Sequence, residues 1–277
     1  MKIQTLENTS TEDLLLAFNN SFENYFIPLH LSLEQLEFKL QVDNAQLDLS
    51  VGMFDDGKLV GFILHGLHAA TQTVYNGGTG VIGSHRGKKI TKQLYDHTFS
   101  LWKERGIQHA QHEVVKENVV AKKIYEDVGF AEHRLLNCMR TKEAIEATNP
   151  YEVLAFSGDD MILGWMEDDM IPTWQNSLQS IGLQKDRLLQ YLVKEKDEAV
   201  GNLLINAASN RILRLNVRKD RRRQGVATAL LSHASQKNPN LSVLNLDAAN
   251  EEVMGFFASR GFDVFLQQYE MTMDMDD

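Results

Sequence analysis

Val217-Arg218-Lys219-Asp220-Arg221-Arg222-Arg223-Gln224-Gly225-Val226-Ala227 is the stretch on which the reading of this 277-residue chain turns. It follows an alternating apolar run, Ile212 to Val217, and leads into apolar residues at helical spacing, so a strand end runs into a helix start. Seven of the thirteen residues from Arg211 to Arg223 are basic, whereas the rest of the chain from Tyr151 onward carries 6 basic against 18 acidic residues. Small residues at Gly225 and Ala227 let backbone N–H groups approach a pyrophosphate, and a helix N-terminus adds the positive end of a dipole. A solvated basic loop, or a Lys/Arg-rich nucleic-acid patch, accounts for the charge alone; neither needs Gly225 and Ala227 between a strand and a helix.

Outward from this loop, the chain repeats itself. Arg86 precedes Arg222 by 136 positions, Asn118 precedes Asn250 by 132, and Gly129 precedes Gly261 by 132. The first copy reads as a capped helix through Leu14, Leu15, Phe18 and Phe22, then a second helix after Ser32. Strands follow at 47–53, 59–65 and 71–81, then a helix at 91–103, a strand at 109–115 and a helix at 118–127. The second copy reads as a helical region from Pro172 through Leu178, strands at 188–193, 200–205 and 212–217, a helix from Gly225, a strand at 243–247 and a helix from Asn250. Two diverged copies of one α+β unit explain the offsets. Asn-Pro disfavours helix, so Ala147-Thr148-Asn149-Pro150 is the expected linker, dividing the chain into domains 1–147 and 148–277.

Read as Arg222-x-x-Gly225-x-Ala227 after Val217, the loop resembles the acetyl-CoA loop of the GCN5-related N-acetyltransferases (GNAT), whose pattern is Arg or Gln, two residues, Gly, one residue, Gly or Ala. The first copy, Val81-Ile82-Gly83-Ser84-His85-Arg86-Gly87-Lys88-Lys89-Ile90-Thr91, resembles it with Arg86-Gly87 in place, Lys89 at the usual glycine and Thr91 at the last small position. Lys89 either points outward while its N–H donates, or blocks the approach. Downstream, Asn118, Ala121, Tyr125, Gly129 and Phe130 are similar to the family's Asn, Ala, Tyr and Gly-Phe motif. The resemblance spans roughly residues 45–140 and 185–273. It implies two tandem GNAT-like domains, each a mixed, mostly antiparallel sheet flanked by helices. It also implies acetyl-CoA as cosubstrate, an amine of a small molecule or peptide as acceptor, and direct attack without a covalent enzyme intermediate.

By the same resemblance, the cofactor-binding residues are Val81, Ile82, Arg86, Gly87, Lys88, Lys89, Ile90, Thr91 and Asn118 in the first copy. In the second they are Val217, Arg222, Arg223, Gln224, Gly225, Val226, Ala227 and Asn250. The family's tyrosine, here Tyr125, protonates the departing thiolate; general acid help is typically worth ~10² to 10⁴ in rate. Tyr125 also fits a plain core stripe with Ala121, Ile124 and Val128. The second copy has Phe257 at that place, without a hydroxyl. The first copy therefore keeps the acid and has a degraded loop, while the second keeps the loop and lacks the acid.

The strand carrying Tyr75 to Ile82 is expected to splay from the one carrying Gln111 to Val115, leaving an N–H near Val81 or Ile82 for the thioester oxygen. Glu113 is the candidate base for the amine's proton, with a strand-surface salt bridge as the alternative. His109 and His112 read as ordinary strand histidines. Phe18, Phe22, Tyr25 and Phe26 either wall an acceptor pocket or form core, and Trp174 either closes a face between the copies or packs. Gly78-Thr79-Gly80-Val81-Ile82-Gly83 matches a dinucleotide fingerprint literally, but it has no counterpart in the second copy, and the next strand ends near Glu117, 34 residues beyond Gly83 rather than the expected ~20. Gly83 to Lys89 has the wrong spacing for a nucleoside-triphosphate loop.

Composition bounds the rest. The net charge of −10 opposes binding to nucleic acid and to anionic membrane, and mildly favours a cationic amine. One cysteine, Cys138, allows neither an intrachain disulfide nor a multi-cysteine zinc site, and it has no His or Asn partner at a useful spacing for a nucleophile. No metal is called for. No signal-like segment opens the chain and no run approaches ~18 apolar residues, so a soluble cytoplasmic protein is expected. No pattern specifies an oligomeric state. Two other function classes stay open: an acyl-CoA-binding module with inactive chemistry, and a nucleic-acid binder acting through 211–223.

Overall fold

The computed structural model describes residues 1–23, 25–27, 29–146, 151–158, 161 and 171–275. The expected linker, 147–150, lies outside the described residues. Strands β1 (Lys2–Thr5), β2 (Val51–Asp55), β3 (Lys58–His68), β4 (Thr73–Val81) and β5 (His109–Val115) alternate with helices α1 (Thr11–Ser21), α2 (Leu33–Val42), α3 (Ile90–Glu104) and α4 (Val119–Asp127). Then come β6 (Ala131–Arg140), β7 (Val153–Ser157), α5 (Leu178–Gly182), β8 (Leu188–Glu195), β9 (Glu198–Asn206), β10 (Arg211–Val217), α6 (Val226–Lys237), β11 (Ser242–Asp247), α7 (Glu251–Ala258) and β12 (Asp263–Asp274).

Two compact units form: Met1–His133 with Tyr269–Asp277, and Arg134–Gln268. In the first the strand order is β1-β2-β3-β4-β5, with the end of β12 beside β5, where Met275 N–H donates to the Gln108 carbonyl at 2.8 Å. In the second it is β6-β11-β10-β9-β8-β7, with β6 antiparallel to β11 from Leu136 to Arg140. Relative to a cut at 147/148, the strand after α4 therefore runs into the second unit and the end of the chain returns to the first.

Local chemistry explains the elements. Ser10 caps α1 by accepting from the Asp13 N–H, and Ser32 with Gln35 forms a reciprocal capping box on α2. The β2–β3 hairpin turns through Asp56 and Gly57 with φ of 46° and 77°, and the β8–β9 hairpin through Lys196 and Asp197 with φ of 50° and 69°. Both turns have the two positive φ values that match the twist of paired strands. The region expected to be helical at 172–178 is a 3₁₀ turn at Trp174–Asn176 followed by the short α5.

Helices α3 and α4 cover one face of the first sheet through Leu94, Tyr95, Trp102, Tyr125 and Phe130. Helices α1 and α2 cover the other through Leu14, Phe18 and Leu36. In the second unit α6 and α7 pack Leu230, Leu231 and Phe257 against one face, and α5 packs Ile181 on a separate cluster with Leu204 and Leu213. Gly61 and Gly201 let α3 and α6 press onto the sheets: a Cβ at Gly61 meets Ile90 at 2.8 Å, and one at Gly201 collides with Val226.

Candidate active site

A β-bulge opens a cleft in each unit. β4 and β5 are parallel partners only at Thr73↔His109, Val74↔Ala110 and Tyr75↔Gln111; immediately beyond, Gly77 has no partner on β3 and the strand is re-aimed. β10 and β11 pair only at Arg211↔Ser242 and Ile212↔Val243, and Leu213 is the corresponding bulged residue. The splay expected between the strands of Tyr75–Ile82 and Gln111–Val115 is thus observed, and the second unit repeats it.

The loops at the mouths share one conformation despite different sequences. Each runs through a 3₁₀ turn, Gly83–His85 or Lys219–Arg221, and then two residues of positive φ: Gly87 (77°) and Lys89 (56°), or Arg223 (61°) and Gly225 (91°). The motif arginine points back to its own strand: Arg86 Nε donates to the Val81 carbonyl at 3.3 Å, and Arg222 Nε to the Val217 carbonyl at 3.1 Å. Arg86 also donates to the Ser21 carbonyl at the end of α1. Left-handed Lys89 and Gly225 occupy the N-cap positions of α3 and α6. The amides of Ile90, Thr91 and Lys92, and of Val226, Ala227 and Thr228, consequently have no acceptor within their helices and converge on the loop, an arrangement suited to a diphosphate. Lys88 and Lys89 carbonyls accept from the Gln93 side chain, which closes the first loop on its helix.

Strand alternation fixes which amide faces each cleft. Ile82 N–H donates to the Val60 carbonyl, and Arg218 N–H to the Val200 carbonyl, both at 3.0 Å. Their amides are spent on the neighbouring antiparallel strand, so those of Val81 and Val217 point the other way, toward the splay.

Much of the basic stretch is matched by acids. Arg218 pairs with Asp220 (2.6 Å) and Glu198 (2.9 Å), Arg221 with Glu195 (2.8 Å) and Asp220 (2.9 Å), and exposed Arg223 approaches Glu252 at 3.7 Å. Charges so paired contribute little to a free cationic surface for nucleic acid. A cavity of about 740 Å³ opens in the second unit, and every second-copy residue assigned to cofactor binding from the sequence except Gln224 lines it. The Gln224 carbonyl instead accepts from the Tyr151 hydroxyl.

The floors of the two clefts differ in kind. In the first, Asn118 caps α4 by accepting from the Ala121 N–H and its amide approaches the Tyr25 hydroxyl at 3.4 Å; Asn250 caps α7 in the same way. Tyr125 is buried, and burial pushes its phenol upward while hydrogen bonds from Thr79 and Asn76 pull it back. Asn76 Nδ2 donates to Tyr95 Oη (2.8 Å) and Thr79 Oγ1 (2.9 Å), and Thr79 Oγ1 lies 3.2 Å from Asn76 Oδ1. At the matching offsets the second unit has Ile212, Leu215, Leu231 and Phe257, all packed in its apolar core. Sequence reasoning missed Asn76, Thr79 and Tyr95; the signal was there, as three polar residues whose repeat counterparts are hydrocarbon.

Glu113 accepts from the Tyr75 hydroxyl at 2.6 Å. By alternation along β5 it faces away from His112, and hence toward the α1–α2 side of the sheet. His112 is buried with its ring 4.0 Å from that of Tyr125, and burial pushes it down to about 3. His109 is half-exposed and pairs with Asp274 at 2.6 Å. Phe18 is core, Phe22 packs on it at a tilt of 41°, Tyr25 meets Phe22 edge-on, and Phe26 is 55% exposed. Trp174 is buried. Gly78 and Gly80 lie inside β4 rather than in a strand-to-helix turn, so the dinucleotide fingerprint has no structural counterpart. Among the described residues there is no group of three metal-ligating side chains, and no helix is long and apolar enough to cross a membrane.

Each unit thus combines a strand splay, a loop of convergent amides and a helix N-terminus beside it, an arrangement suited to a ligand that carries a diphosphate. The acetyltransferase (GNAT) family matches residues 13–130, and the acetyltransferase (GNAT) domain matches residues 168–272. The chain belongs to the GNAT acetyltransferase family and carries two of its domains in tandem. Similar solved structures include a tandem GNAT protein from the clavulanic acid biosynthesis pathway (TM-score 0.72, 11% identity, 99% of each chain covered). A GCN5-related N-acetyltransferase from Sphaerobacter thermophilus is similar at TM-score 0.72 and 14% identity, covering 99% of this chain and 95% of that one. Another from Anabaena variabilis matches at TM-score 0.61 and 12% identity, covering 99% and 72%. No curated protein matches the chain.

Proposed function

We propose that the first unit transfers the acetyl group of acetyl-CoA to an amine of a small molecule or peptide by direct attack, and that the second unit holds CoA without the acid. The observation that carries this reading is the contrast between the clefts: a buried Tyr125 with its hydroxyl in one, Phe257 among hydrocarbon in the other. Bound acetyl-CoA supplies an activated acetyl thioester; the protein supplies placement and protons.

In the first unit the α3 amides, with Lys88 and Lys89, hold the diphosphate, and the Asn118 side chain lies along the arm. Val81 N–H donates to the thioester oxygen as charge develops there. Glu113, held by Tyr75 on the opposite face from Tyr125, takes the proton released by the attacking amine, and Tyr125 gives its own to the departing sulfur. A phenol kept neutral by burial holds that proton at neutral pH. In the second unit Val217, Arg222, Arg223, Gly225, Val226, Ala227 and Asn250 surround a cavity of the size a cofactor arm needs, with Gln224 completing the loop. The sequence copies 1–147 and 148–277 are read as the two functional domains, and a single buried cysteine, Cys138, suits a reducing cytoplasm.

Titration calorimetry with acetyl-CoA, followed by thiol release with a library of amines, tests the reading. Binding with amine-dependent thiol release supports it. Absence of binding overturns it, and binding without transfer to any amine favours an inactive acyl-CoA module.

A further inference from the structure

Both phosphate-type loops are tied to the rest of their units at the same point. In the first unit His85, the last residue of the 3₁₀ turn, places Nε2 3.1 Å from Asp55 Oδ2, where β2 enters its hairpin. In the second, Arg221, the last residue of the matching turn, donates from Nε to Glu195 Oε2 at 2.8 Å, where β8 enters its hairpin. Each cation immediately precedes the motif arginine, Arg86 or Arg222, and each carboxylate immediately precedes the hairpin's positive-φ pair. The second loop has a further tie, Arg218 to Glu198 at 2.9 Å. One hairpin-to-loop bridge therefore stands in both copies, although neither its cation nor its carboxylate is the same residue type in the two. Each loop also carries two residues of positive φ, and a loop held in that shape before a ligand arrives loses less freedom on binding.

We propose that Asp55 and Glu195 are positioning residues that hold the two loops in their diphosphate-binding shape, and that the first hold slackens when His85 gives up its proton while the second does not. The consequence for binding rests on the loops taking acetyl-CoA. The hydrogen bond from His85 pulls the Asp55 carboxyl below its usual range, so Asp55 is ionised at neutral pH. With an imidazolium, Nε2–H donates to Asp55 and Nδ1–H to Ser84 Oγ, 3.0 Å away, and the bridge is an ion pair. With a neutral ring, Nε2–H still donates, Nδ1 accepts from the Ser84 hydroxyl, and the Coulombic part is lost. The tie is therefore strongest below the range in which imidazole ordinarily titrates, about pH 6.5, and weakens above it, whereas Arg221 keeps its charge throughout. The other charged groups around His85 are the Met1 amine, 3.5 Å from Asp55 Oδ1, Lys58 across the hairpin from Asp55, and Arg86, Lys88 and Lys89 on its own loop. All five are shared by the parent and His85→Arg, so the difference between those two proteins isolates the imidazole.

Solvent exchange of the amides that close the two turns, His85 and Arg86 in one and Arg221 and Arg222 in the other, tests this by NMR without ligand. Between pH 6 and 8 buried His65 and His112 stay neutral and do not contribute. After correction for the intrinsic pH dependence of exchange, protection of the first turn is expected to fall about threefold from pH 6 to 8 in the parent, and that of the second to stay level. His85→Arg is expected to hold the first turn at the parent's pH 6 value throughout, and Asp55→Asn to hold it at or below the pH 8 value. Glu195→Gln is expected to lower the second turn about threefold at every pH. A level profile for the first turn of the parent, or a slope that survives His85→Arg, overturns the inference. Acetyl-CoA calorimetry on the same proteins compares variants at each pH, where the ligand's own phosphate ionisation, near pH 6, cancels. Affinity that changes in step with protection supports the positioning role, and affinity indifferent to protection overturns it. The expected exchange pattern without any binding overturns the acetyl-CoA reading and leaves the bridges; binding with a level exchange profile overturns the inference alone.

Discussion

Exchanging the residues at the two left-handed N-caps, Lys89 and Gly225, should change the stability of the two units in opposite directions. A side chain in left-handed backbone costs roughly 1–2 kcal/mol relative to glycine, while glycine costs about 0.4–1 kcal/mol more in unfolded-chain entropy. Lys89, at φ 56° and ψ 28°, lies near the centre of the left-handed basin, so Lys89→Gly should stabilise the first unit by up to about 1 kcal/mol. Gly225, at φ 91° and ψ −2°, lies farther out, and a Cβ there meets only a Tyr151 ring carbon at 4.0 Å. Strain rather than collision therefore sets the cost, and Gly225→Ala should destabilise the second unit by about 1 kcal/mol. Amide hydrogen exchange of α3 and α6 reads each unit separately, and about 1 kcal/mol appears as a roughly fivefold change in exchange rate. Faster exchange in Lys89→Gly, or unchanged exchange in Gly225→Ala, refutes the assignment of strain to these caps.

Further outcomes follow from the same contacts. Burial holds His65 down to about 4 and His112 to about 3, so the unfolded chain binds the extra protons. Stability should be complete above about pH 6.5 and fall as pH drops from there toward 4, by on the order of 3 kcal/mol per group; urea midpoints across pH 4–7.5 measure it, and a flat profile contradicts it. Glu113→Gln keeps an acceptor for Tyr75 and removes the base, so acetyl transfer should slow by at least about tenfold with acetyl-CoA affinity unchanged; equal loss of both indicates a structural role instead. Asn118→Ala and Asn250→Ala should each cost about 1 kcal/mol through loss of the cap, read as faster exchange in α4 and α7 respectively.

The repeat was legible because its landmarks are chemically constrained. Arg86 and Arg222 must reach back to Val81 and Val217, Asn118 and Asn250 must cap, and Gly129 (φ 111°) and Gly261 (φ 78°) must end helices with positive φ. What alternation along β6 and β12 does not specify is the neighbouring strand, because a ladder pairs backbones and any strand with the right face satisfies it. That is why the two units' use of β6 and of the chain's last strand was not visible in the sequence. Lys89 shows a different limit: it stands where the family has glycine, yet takes the same left-handed backbone, so the departure in sequence is not a departure in shape. Asn76, Thr79 and Tyr95 were hidden by scattered positions on β4 and α3, which become one cluster only when the sheet is folded under the helix.

Acetyl-transfer rate in Tyr125→Phe, set beside Phe257→Leu and acetyl-CoA affinity by calorimetry, tests the division of labour most directly. The expected result is a fall of ~10² to 10⁴ in kcat for Tyr125→Phe with affinity retained, and no change in kcat for Phe257→Leu. An unchanged rate in Tyr125→Phe, or a comparable loss in Phe257→Leu, contradicts the assignment of the chemistry to the first unit.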